Sequence, residues 1–148
     1  MRYLFLLTFL CVLSAASRAE PEMLVSQTEL AESQDAPAIF LPKAVPEKDA
    51  PRVEIVTPTV AARLKSPIQV QAAFVSTLPA TIRPDSFKVL YGAFQIDITQ
   101  RLLAVAKITS QGIHVQEAKL PSGHHKLHLL LEDSMGRQGR QTLEFDID

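Results

Sequence analysis

Residues 120–137 read LPSGHHKLHLLLEDSMGR. Pro121-Ser122-Gly123 has the composition of a tight corner. Beyond it, His125, Leu127, Leu129 and Leu131 alternate with His124, Lys126 and His128. That period of two describes a strand with one face in a core and one in water. Asp133-Ser134-Met135-Gly136 is a turn, and a second alternating run follows, with Leu143, Phe145 and Ile147 set against Thr142, Glu144 and Asp146. Two alternating runs joined by such a turn predict the last hairpin of a small antiparallel β-sandwich.

The same period recurs upstream. Val53 and Ile55 form one apolar row. Ile68, Val70, Ala72 and Phe74 form a second, and Phe87, Val89 and Tyr91 a third. Phe94, Ile96 and Ile98 follow, then Ile113 and Val115. Pro58, Pro67, Pro79, Pro84, Gly92 and Gly112 fall between the runs, where turn chemistry belongs. Thr99–Val105 breaks the period and predicts one helical turn capped by Thr99 and crossing between sheets. The fold class is therefore all-β, with about seven strands over 51–148. That number and spacing of strands is the pattern of an immunoglobulin-like sandwich.

Residues 51–148 resemble the Ig-like domains of bacterial envelope proteins. The matching features are Pro67-Ile68-Gln69-Val70 and Leu120-Pro121-Ser122-Gly123, then His125-x-Leu127-x-Leu129, with Asp133 and Gly136-Arg137 beyond. The resemblance implies a structural corner at Gly123 and His125, the histidine ring pinning the turn as a tyrosine does in related folds. It specifies a scaffold and leaves the ligand open. The chain has neither the cysteine pair nor the tryptophan of antibody domains.

The N-terminal third is different. Arg2, the apolar run Leu4–Leu13 and the small residues of Ser17-Arg18-Ala19 predict a signal peptide over 1–19, with a mature chain starting at Glu20. The only cysteine, Cys11, lies inside that signal, so no disulfide is expected. Residues 20–50 are acidic and carry four prolines and no glycine. They predict a mostly disordered arm. Within it, Ile39, Phe40 and Leu41 form an apolar patch that could add as a strand to a sheet edge. With Arg2 and Arg18 removed, thirteen basic residues face sixteen acidic ones, a net charge of −3. No basic stripe is present, which argues against a nucleic-acid partner.

The chemistry-bearing residues are few. His114 and His128 could share a zinc or copper ion if the strands carrying them formed a direct hairpin. In an Ig sandwich, the strands flanking such a corner usually fall in different sheets. His124 and His128, four apart on one strand, would be separated by about 13 Å, too far for one ion. The sequence contains no G-x-S-x-G, H-E-x-x-H, calcium loop or phosphate loop. The reading is thus not an enzyme, and no cofactor is called for. A sugar-binding module would need exposed rings, whereas Phe74, Phe87, Tyr91, Phe94 and Phe145 all fall on inward phases. Arg137 and Arg140, in GRQGR, are candidate contacts in a polar loop. The function expected is a non-catalytic, exported module for protein interaction or structural support in the bacterial envelope, with a periplasmic or secreted location. A metal carrier and a carbohydrate-binding module are the alternatives.

Overall fold

The computed structural model describes residues 23–36, 47–59 and 63–148. Ten elements follow in chain order: α1 (Gln27–Asp35), β1 (Arg52–Thr57), β2 (Ile68–Val75), β3 (Ile82–Tyr91), β4 (Ile96–Asp97), α2 (Thr99–Val105), β5 (Ala106–Thr109), β6 (Gly112–Ala118), β7 (Gly123–Asp133) and β8 (Gln138–Ile147). The strands form two antiparallel four-stranded sheets, ordered β1-β2-β6-β5 and β4-β3-β7-β8. The inward residues of the two sheets meet in one core that includes Phe74, Val89, Val115, Leu129, Leu143 and Phe145.

Period-two alternation set these strands. In β8 every odd-numbered residue from Gly139 to Ile147 except Gln141 is buried, and every even-numbered one is exposed. The 133–137 turn pairs β7 with β8 from Glu132↔Gln138 to Gly123↔Ile147. The corner before it does something else. It carries the chain from β6 in the first sheet to β7 in the second. Pro84 sits inside β3 rather than between strands. The β3–β7 register shifts there, between Arg83 and Lys88. Ser86 bridges the gap by accepting the Glu132 N–H on its hydroxyl at 2.8 Å.

Eight strands stand where the period suggested about seven. The extra one is β5, four residues long. The run around Phe94 contracts to the two residues of β4. Gly92 and Gln95 both take positive φ, and the Gln95 N–H donates to the Gly92 carbonyl. That tight turn swings Phe94 out of the core, leaving it 54 % exposed. The expected helical turn is α2, but Thr99 is not its N-cap. The Thr99 N–H donates to Asp97 Oδ1 at 2.9 Å, and Thr99 Oγ1 accepts the Val89 N–H at 2.9 Å. Asp97 thus secures the start of α2, and Thr99 ties α2 to β3.

The larger departure is at the N-terminus. Residues 23–36, expected to belong to a mostly disordered arm, contain α1 and pack on the sandwich. Leu24, Val25 and Leu30 are buried in the core. The local reason is a capping box. Ser26 Oγ accepts the Glu29 N–H at 3.2 Å, and the Ser26 N–H donates to Glu29 Oε2 at 2.8 Å. The tertiary reason is burial of those three apolar side chains. Acidic, proline-bearing composition outweighed this signal in the sequence reading.

Candidate functional site

The corner at 121–125 holds a buried polar constellation. Strand parity points His125 inward, where it is fully buried. Its Nε2 lies 2.8 Å from the Pro121 carbonyl oxygen. A carbonyl only accepts, so Nε2 carries the proton and Nδ1 is free to accept. Tyr91 Oη stands 3.0 Å from Nδ1 and donates to it. The imidazole stacks on Phe145, with ring centroids 5.6 Å apart and planes 21° apart. Burial pushes the His125 pKa below its ordinary value against the opposing Pro121 bond. Burial, with the Glu29 charge adding to it, raises the Tyr91 phenol to about 12. The relay Tyr91–His125–Pro121 therefore stays neutral, and its geometry is that of a pin.

The opposite end of β7 is held by Asp133. Its Oδ1 accepts the N–H groups of Met135 and Arg137 at 2.9 and 3.0 Å. Its Oδ2 accepts from Arg137 Nε at 2.8 Å. Burial pushes the Asp133 carboxyl up, but the Arg137 and Met135 bonds outweigh it and hold the pKa below the ordinary value. Arg137, singled out as a loop contact, is thus committed to the turn. Its Nη2 is buried and unbonded among the described residues. Arg140 is not in a loop either. It lies on β8, paired with Leu130 and exposed. The GRQGR stretch enters the strand because Gly139 packs against Pro51, where a Cβ would overlap the Pro51 carbonyl oxygen.

His114 and His128 do not come together. His114 pairs with Gln71 and Lys107 in the first sheet. His128 pairs with Leu90 and Thr142 in the second. Their neighbours Ile113, Val115, Leu127 and Leu129 face the core, so the two imidazoles sit on opposite outer faces. The direct hairpin that would join them is replaced by the sheet-crossing corner. Among the described residues, no group of three His, Cys, Asp or Glu could hold a metal ion. His128 Nδ1 meets Thr142 Oγ1 at 3.1 Å. Burial lowers the His128 pKa, with Lys126 and Arg140 adding to the effect. His124 faces Asp146 at 3.0 Å and Lys126 faces Glu144 at 2.7 Å. The outer face of β7–β8 is therefore a ladder of cross-strand polar pairs.

Among the described residues, the two sheets have four edge strands, β1, β5, β4 and β8. The patch Ile39–Leu41 lies outside the described residues, as does the 1–19 signal. β8 is the longest of the four. Its even-numbered residues turn their backbone groups outward, as the Leu64–Ile147 parallel bridge shows. The Leu64 N–H donates to the Asp146 carbonyl and the Asp148 N–H to the Leu64 carbonyl. Above that bridge, no described strand pairs with β8 on its outer side. Among the rings, Phe74, Phe87, Tyr91 and Phe145 are buried, and Phe94 alone of the described phenylalanines and tyrosines is exposed.

No helix of the described residues is long and apolar enough to cross a membrane. The sequence matches no protein-family model and no curated protein. Among solved structures it is similar to CopC from Methylosinus trichosporium OB3b, at 14 % identity and a TM-score of 0.44, over 65 % of this chain and 93 % of that one.

Proposed function

We propose that this chain is an exported, non-catalytic Ig-like module that engages an envelope protein by main-chain pairing at the outer edge of β8. The observation that carries the reading is that no described strand pairs with the outer side of β8 from Gln138 to Glu144, above the Leu64 bridge. A strand edge offers a row of backbone donors and acceptors to an incoming extended segment. The buried polar side chains fit a scaffold: Thr99, His125 and Asp133 each bond to backbone groups, tying α2 to β3, fixing the corner and closing the turn. Ile39, Phe40 and Leu41 belong to the same proposal as an apolar aid to docking.

Photocrosslinking residues placed at Arg140 and, as a control, at His114 on the opposite sheet test the reading in intact cells. A discrete crosslinked protein is expected from position 140 and not from 114. With the crosslinker kept at position 140, Thr142→Pro removes one outward N–H from the edge strand, where proline is tolerated, and should abolish that product. Equal labelling from both positions would discard the edge mechanism. The role of the apolar patch is tested by Ile39→Ser, Phe40→Ser and Leu41→Ser together. Deleting the whole 20–50 stretch would also remove Leu24, Val25 and Leu30 from the core.

A further inference from the structure

We propose that the end of the sandwich beneath α1 is a peptide-acceptor site, and that residues 23–36 are its ligand held in cis. The proposal rests on the reading of the chain as an interaction module, and assigns that module a second surface distinct from the β8 edge.

The acceptor is assembled from three parts of the body. Arg101 of α2 donates through Nη1 to the Leu24 carbonyl at 3.2 Å and to Glu29 Oε2 at 2.9 Å, and through Nη2 to Glu29 Oε1 at 2.8 Å. One guanidinium thus reads a backbone carbonyl and a carboxylate five residues apart, in the bidentate geometry arginine favours. The Lys119 carbonyl accepts the Leu24 N–H at 3.0 Å. Gly92 and Gly123 form a floor without side chains. A Cβ at the first would strike Ser33, and one at the second would press on Leu30 and Gln34. Below Leu24 lies a cavity of about 30 Å³ walled by apolar residues, among them Leu102, Ala118, Leu120 and Phe145.

What fills the site has the form of a short linear motif. All of its contacts come from one contiguous segment: the apolar pair Leu24-Val25, the hydroxyl cap Ser26, the acid Glu29 and Leu30, with Ser33 and Gln34 over the glycine floor. Glu29 closes the capping box and also meets Arg101. The bond to Arg101 leads the causes that hold the Glu29 pKa down to about 2, so the acid is ionised wherever the site is tested. The partner class that fits is therefore a peptide with an apolar pair, Ser or Thr, two free positions, Glu and Leu, entering as a capped helix start. The slack beneath Leu24 favours a longer apolar residue there. In the intact chain, the tether gives the cis segment an effective concentration that excludes such a peptide.

The test uses the full chain with a protease recognition sequence placed between Asp35 and Glu47. The uncut protein folds first and is then cleaved, so residues 23–36 become an exchangeable peptide. A labelled synthetic peptide of residues 23–36 should bind the cleaved protein saturably and be competed by unlabelled peptide. Binding to the uncut protein should be much weaker. Glu29→Gln in the peptide should weaken binding by about tenfold or more, since it removes a charge-assisted pair. Throughout, the near-UV signal of the sandwich should persist when the segment dissociates. The proposal fails if the cut segment never exchanges, if the sandwich unfolds as the segment leaves, or if the Glu29→Gln peptide binds as well as its parent. None of these outcomes touches the crosslink from Arg140, which tests the edge reading alone.

Discussion

At the scale of the residue, His125 shows how much one imidazole can organise. It bonds to Tyr91 on β3 and to Pro121 in the corner, and it stacks on Phe145 of β8. His125→Leu would leave the Tyr91 hydroxyl and the Pro121 carbonyl buried without partners. A loss of about 2–4 kcal/mol is expected, read as a lowered urea midpoint with unchanged m. The same burial makes stability pH-dependent. The folded-state pKa values of His125 and His128 lie below the ordinary 6.5. Under mild acid the unfolded chain therefore binds protons that the folded chain refuses. Stability should fall as pH drops from 6.5 toward each folded-state value. His125→Gln, which keeps an acceptor and a donor but cannot titrate, should flatten that slope; an unchanged slope would remove His125 as its source. The inward orientation of His125 was legible from strand parity alone. Its bond to Tyr91 was not, because it depends on the β3–β7 register across a bulge that local sequence does not announce. The separation of His114 from His128 likewise depended on which sheet each strand joined.

At the scale of the element, strands were read well and their exceptions poorly. Alternation located seven of the eight strands, yet it carried Phe94 inward where a turn with two positive φ residues, Gly92 and Gln95, ejects it. Strand β5 is too short to display a period. Helix α1 is the instructive miss. Its Ser26-x-x-Glu29 signature is plain in the sequence, but its apolar face is reduced to Leu30, so periodicity says almost nothing. Its position is decided by Arg101 and by two glycines far along the chain. Ser26→Ala should cost about 1 kcal/mol by removing the cap, seen as faster amide exchange across 27–35 with β7 unaffected. Gly139→Ala tests a different junction. The added methyl group must displace the Pro51 backbone, and a loss of about 1–3 kcal/mol is expected from overpacking, measured by thermal or urea unfolding.

At the scale of the whole molecule, the two sheets and their order depend on contacts between distant parts of the chain. β2 pairs with β6 and β3 with β7, and neither pairing is a local hairpin. The segment 23–36 is the extreme case. Gly92, Arg101, Lys119 and Gly123, which seat it, all come later in the chain. It therefore has nowhere to dock until α2, β6 and β7 are already in place. In kinetic language, its contacts are expected to form on the native side of the folding barrier. Leu30→Ala should thus speed unfolding while leaving the refolding rate nearly unchanged, a φ-value near zero. Stopped-flow chevrons would show it, and a slowed refolding arm would place the segment in the nucleus instead. Until it docks, the chain carries an unburied apolar stretch, Leu24, Val25 and Leu30, that stays open to any factor able to hold it. If docking is the last step of folding, it is also the step at which such a factor must let go.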